Sequence, residues 1–193
     1  MDVYQPLSLD ALAPEPWRNG RGITRTVAVD AAGADWRWRI SLADLSGTAP
    51  FSRFPGVDRS AVLVRGSGLA LSVDGAGSEL ERPGQRRDFA GESDVWAATP
   101  RGPARLWNVM TRRGAAHAEL RWLTQPAVLL DAGLRVLLAV DAPCQVRCRA
   151  VEVDVAPGHY WIPPEGELLQ VEPGPGGGLL STRIAIDAGI SPG

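Results

Sequence analysis

Three short segments concentrate the groups that could do chemistry. Pro16–Ala28 reads P-W-R-N-G-R-G-I-T-R-T-V-A, setting two glycines among Arg18, Asn19, Arg21, Thr24 and Arg25. Glycine lets the backbone approach a ligand closely, while guanidinium, amide and hydroxyl groups supply hydrogen bonds. The spacing is not G-x-x-x-x-G-K-[ST], so this is no phosphate-cradling P-loop, and a turn with solvated arginines is the plainer reading. Thr48–Arg59, T-A-P-F-S-R-F-P-G-V-D-R, is a stiff loop holding Ser52, Arg53, Asp58 and Arg59. Its plainer reading pins Phe51 and Phe54 in the core and leaves Asp58 and Arg59 as a surface pair. In A-R-L-W-N-V-M-T-R-R-G, strand alternation puts Asn108 on one face with Leu106 and Met110. An amide on an apolar face finds partners or costs about 1–3 kcal/mol, so Asn108 is either a satisfied core amide or a ligand contact.

Other chemistries lack their residues. The two histidines, His117 and His159, lie far apart, and with two cysteines they are too few for a zinc ligand set. His159, in P-G-H-Y-W, reads as a turn residue. Cys144 and Cys148 fall four apart in an apparent strand, roughly 13 Å at ~3.3 Å per residue. A disulfide needs less than ~7 Å between Cα atoms, so free thiols are expected. There is no G-x-S-x-G and no local Cys–His pair, and Glu79, Glu81, Asp88, Glu92 and Asp94 sit in polar connections. The expectation is therefore no catalytic residue, no metal and no cofactor.

The elements that must position these groups read as short strands. Twenty-two glycines and 16 prolines in 193 residues are spread between apolar runs, the signature of many strands joined by turns. W-R-W-R-I-S-L alternates strictly, Trp36, Trp38, Ile40 and Leu42 facing one way and Arg37, Arg39 and Ser41 the other, a strand with one packed face. G-L-A-L-S-V ends at Asp74-Gly75, a hairpin signal. The nearest approach to helical spacing is A-A-H-A-E-L-R-W-L, which lacks caps. G-S-G-L-A-L-S-V-D-G…E-L-E-R-P-G-Q and A-P-C-Q-V-R-C-R-A-V-E-V-D-V-A-P-G-H share one order, hairpin strands then a strand ending at Pro-Gly, which makes Pro83-Gly84 and Pro157-Gly158 equivalent turns. The pattern predicts an all-β fold of two tandem cupin-like jelly-roll barrels, residues 1–114 carrying the ligand pocket and residues 115–193 forming the second.

A net charge of −2 with intermixed signs gives no footprint for nucleic acid or an anionic membrane. No apolar run reaches the ~18 residues that span a bilayer, and the first ten residues lack a signal pattern, so a cytoplasmic protein is expected.

The segments W-R-N-G-R-G-I-T-R, W-R-I-S-L-A, P-F-S-R-F-P-G-V-D-R and N-V-M-T-R-R, in this order across residues 17–113, resemble the HutD/Ves family. The resemblance implies a bicupin fold and a link to histidine utilisation, in which a family member binds a pathway metabolite and restrains the pathway. Other members are linked to stress responses, none with a settled enzymatic activity. Two positions depart from the family pattern: Arg21 replaces a glycine and would add a cation near the ligand, and Leu106 replaces an aspartate that could orient an arginine. Alternation and these segments together nominate Asn19, Thr24, Arg25, Arg39, Ser41, Arg59, Asn108 and Met110 as one ligand-binding set. The leading expectation is a metal-independent sensor of a small polar metabolite, carboxylated, formylated or imidazole-derived, compatible with a homodimer. A metal-independent isomerase or hydrolase and a structural dimerisation module are the alternatives, because fold alone does not choose among them.

Overall fold

A computed structural model describes residues 4–17, 20–30, 36–130 and 133–187. Among these residues the regular structure is strand, apart from one 3₁₀ turn at Leu9–Ala11. The chain divides into two compact units, one built from Leu12–Ala116 and one from His117–Asp187 together with the described residues up to Ala11. The N-terminal segment thus departs from the expected 1–114 grouping. Its strand β1 (Leu7–Ser8) pairs with Tyr160 and His159, Leu9 is buried, and the Tyr4 ring lies 6.5 Å from that of Trp161. Leu9 anchors the segment there while Leu7 stays exposed, and its backbone pairs with the strand His159–Trp161.

The Leu12–Ala116 unit contains β2 (Glu15–Pro16), β3 (Gly22–Val29), β4 (Trp38–Leu45), β5 (Thr48–Pro50), β6 (Val57–Arg65), β7 (Leu69–Val73), β8 (Ala76–Leu80), β9 (Arg86–Ala90), β10 (Val95–Ala98) and β11 (Ala104–Arg112). They form a six-stranded sheet, β2-β3-β4-β11-β6-β9, and a four-stranded sheet, β5-β10-β7-β8. Asp74 (φ 49°) and Gly75 (φ 83°) both take positive φ, the conformation a two-residue type I′ hairpin demands, and Val73 faces Ala76 across it. The core runs between the sheets, with Ala43, Leu45, Leu63 and Leu106 from the first meeting Leu69, Leu71, Val95 and Ala97 from the second. That is the closed sandwich of a cupin-like jelly roll.

The second unit repeats the plan with β12 (Ala116–Leu123), β13 (Ala127–Leu129), β14 (Leu134–Val140), β15 (Cys144–Cys148), β16 (Val151–Val155), β17 (His159–Trp161), β18 (Leu169–Pro173) and β19 (Gly178–Ile186). Its sheets run β1-β17-β14-β19-β12 and β13-β18-β15-β16. The stretch closest to helical spacing is strand β12, where burial alternates along the chain. Cys144 and Cys148 are free and buried.

Strand β4 corrects one expectation. Its Ile40 and Leu42 are fully buried, yet Ser41 on the other face is only 3% exposed. Both faces are packed at this point, so Arg39 and Ser41 line the barrel's cavity while Arg37 stays exposed.

Candidate functional site

At one end of the first barrel the core gives way to a cavity of about 500 Å³. Three neighbouring strands supply its base. The register sets Asn108 opposite Ser41 and Met110 opposite Arg39 on the β4 side, and on the β6 side Asn108 opposite Ala61 and Met110 opposite Arg59. Side chains at every second strand position share a face, so Arg39, Ser41, Arg59, Asn108 and Met110 all line the cavity. Thr24 of β3 completes the set, its hydroxyl accepting a 2.7 Å hydrogen bond from Trp17 Nε1.

Arg59 dominates the electrostatics. It is 8% exposed, and its guanidinium carbon lies 5.2, 5.5 and 4.9 Å from the ring centres of Phe51, Phe54 and Phe89. Nη1 donates to the Ser52 carbonyl at 3.0 Å, while the buried Nε makes no hydrogen bond. Burial is the sole cause that pushes its pKa down, to about 10, so the group stays charged at neutral pH with no carboxylate beside it among the described residues. Aromatic faces partly compensate a desolvated cation. They leave its hydrogen-bonding fork incomplete. Next to it Asn108 is 5% exposed, and its side-chain oxygen has no partner. Towards the rim, Arg39 Nη2 donates to Thr26 Oγ1 at 2.7 Å and lies 3.7 Å from the Glu15 carboxylate.

Of the eight nominated residues, Thr24, Arg39, Ser41, Arg59, Asn108 and Met110 come together here. Asn19 lies outside the described residues. Arg25 belongs elsewhere: it follows Thr24 in β3, so its side chain takes the opposite face, where it forms an ion pair with Asp44. Arg21 is also absent from this cavity. It lines a separate cleft with Arg65 and Arg105. Asp58 and Arg59 are not a surface pair, since Asp58 instead pairs with Arg113 at 2.6 Å. Sequence reasoning missed Glu15 and Trp17, which carry no local signal, and treated Phe51 and Phe54 as core pins although they also wall the cavity.

Among the described residues no group of three or more His, Cys, Asp or Glu side chains stands together. His117 Nδ1 is 2.7 Å from Asp187, and His159 Nδ1 is 3.2 Å from the Pro157 carbonyl. Apart from the Glu15 carboxylate beside Arg39, the polar groups that line the cavity are cationic or neutral, a set that attracts oxyanions.

Comparison with known proteins bears on the family and the fold. Protein Ves of Citrobacter koseri is 30% identical over 164 residues, covering 79% of this chain and 85% of that protein. An uncharacterised 21.2 kDa protein in the hutC 3′ region of Pseudomonas putida is 34% identical over 125 residues, 64% of this chain and 66% of the relative. Among solved structures, HutD from Pseudomonas fluorescens SBW25 superposes with a TM-score of 0.79 at 24% identity over 94% of this chain and 98% of that one. A cupin 2 conserved barrel domain protein from Leptotrichia buccalis reaches a TM-score of 0.65 at 11% identity, covering 96% and 98%, which supports the cupin architecture. The HutD family model matches residues 10–159, a span that includes every cavity residue named above, and the chain belongs to the HutD family.

Proposed function

We propose that this HutD-family chain is a non-catalytic sensor that holds a small carboxylate in the first barrel. The carrying observation is Arg59: a buried guanidinium with three aromatic walls and, among the described residues, one hydrogen bond and no counter-ion. A buried charge is costly unless paired. A ligand carboxylate would supply both the missing charge and the acceptors that complete a bidentate contact. Asn108 offers one further hydrogen-bonding position, and Arg39, Ser41 and Thr24 extend the polar wall towards the rim. Met110 gives an apolar patch for a short carbon chain.

Family membership and the relative from a hutC region support a link to histidine utilisation, and HutD of Pseudomonas fluorescens was solved in a formate condition. On this reading the ligand is a carboxylated, formylated or imidazole-bearing metabolite of such a pathway, bound in the cytoplasm, and neither nucleic acid nor membrane is a partner. No helix among the described residues is long and apolar enough to cross a membrane. Calorimetric titration with formate, an N-formylamino acid and an imidazole carboxylate, followed by product analysis on the same mixtures, tests the reading. Saturable binding without turnover supports a sensor. Turnover would make the protein an enzyme, and failure of all three ligands to bind would refute the carboxylate site.

A further inference from the structure

The cleft that holds Arg21 lies apart from the Arg59 cavity. It measures about 580 Å³ and is walled by Arg21, Arg65 and Arg105 over an aliphatic floor that includes Ile23, Leu45 and Ala104. How the arginines meet is unusual. In the β11–β6 pairing, Leu106 faces Leu63, so a regular ladder would set Arg105 opposite Val64; a register shift between Arg105 and Leu106 instead sets it opposite Arg65. Like charges directly across a strand pair are destabilising, and bulges that re-aim side chains are over-represented beside functional sites.

Asp44, which also lines the cleft, offsets Arg105 but not Arg65. It lies opposite Arg105 on β4 and pairs with both Arg105, at 2.6 Å, and Arg25. Arg65 is exposed and forms no ion pair with the described residues. Arg21, immediately before β3, is steadied by a 2.7 Å hydrogen bond from Nη1 to the Thr48 carbonyl. A bulge that sets two arginines opposite each other in a cleft lined by a third is an arrangement suited to an anion with several charged oxygens.

We propose that this cleft is a second ligand site, for a compact oxyanion carrying two or more charges, of the phosphate or polycarboxylate kind. Its volume falls in the range of small-metabolite pockets. The test titrates the full chain at low ionic strength with pyrophosphate and, separately, with citrate, in wild type and in Arg65→Gln, Arg53→Gln and Arg59→Gln. Arg65 is exposed, so its replacement should leave the fold intact, checked by an unchanged or raised melting temperature without ligand. Arg53 is a comparably exposed arginine paired with Asp94 and reports diffuse charge attraction. The expected result is saturable binding weakened about tenfold or more by Arg65→Gln, the loss of one charge-assisted contact, with Arg53→Gln and Arg59→Gln close to wild type. Binding of pyrophosphate alone assigns a phosphate-type ligand, and binding of citrate alone a polycarboxylate. The proposal is overturned if neither probe binds, if Arg53→Gln weakens binding as much as Arg65→Gln, or if Arg59→Gln abolishes it.

Discussion

In the first barrel the Gly84 amide donates to the Leu63 carbonyl at 2.9 Å, and in the second the Gly158 amide donates to the Ala139 carbonyl at 2.9 Å. The two Pro-Gly turns therefore dock on corresponding positions of β6 and β14. Counting back four residues on each strand makes Arg59 and Arg135 equivalents. Neighbouring positions then differ in size: Asn108 faces Ala61, whereas Ser181 faces Leu137. The first barrel has a small residue beside its arginine, and a cavity. In the second, Leu137 and Trp161 are fully buried in a continuous apolar core, and Arg135 donates a 2.7 Å hydrogen bond to the buried Ser181 hydroxyl. One plan thus supports an open polar end and a sealed one, and the side-chain volume beside the arginine distinguishes them.

The largest expected effect comes from breaking the sealed barrel. Trp161→Ala removes the largest side chain of that core and should cost about 3–5 kcal/mol of stability in chemical denaturation, the usual price of an aromatic-to-alanine cavity. Next, Ala61→Leu makes the first barrel imitate the second. It should cost about 1–3 kcal/mol through overpacking and eliminate carboxylate binding; retained binding would show that volume at this position does not separate the barrels. Asn108→Ala should weaken binding by about 1–3 kcal/mol with a smaller change in stability, because its side-chain oxygen has no partner to lose. The smallest effect concerns the thiols. Burial pushes Cys144 up to about 11 and raises Cys148 as well, so at neutral pH neither forms the reactive thiolate. Both should resist iodoacetamide in the native protein and react once it is unfolded, as read by mass spectrometry.

Much of this contrast was legible in the sequence because the strand period is two. Alternation put Asn108 and Met110 on one face and Arg39 and Ser41 on another, and the turns at Pro83-Gly84 and Pro157-Gly158 disclosed the repeated plan. The same rule, applied strictly, would have removed Arg25, which neighbours Thr24 in one strand and so cannot share its face. Periodicity does not say whether the polar face of β4 meets water or a cavity. Ser41 shares the barrel-facing side of β4 with the core residues Ala43 and Leu45, which is why it is buried. Glu15 and Trp17 reach the rim through tertiary folding of a two-residue strand and its flank, too short for any pattern to show. The register shift that brings Arg65 to Arg105 was invisible for a related reason: a bulge is one residue in one strand, defined only against its partner.

On this reading Arg59 serves a ligand and not the fold. The most direct measurement compares Arg59→Met with wild type in carboxylate titration and in thermal unfolding without ligand. Replacing a buried, unpaired charge by an apolar side chain of similar length is often neutral or stabilising. Arg59→Met should lose carboxylate binding and keep an unchanged or raised melting temperature. A melting temperature lowered by many degrees, with carboxylate affinity intact in the folded fraction, would contradict it and make Arg59 a structural residue.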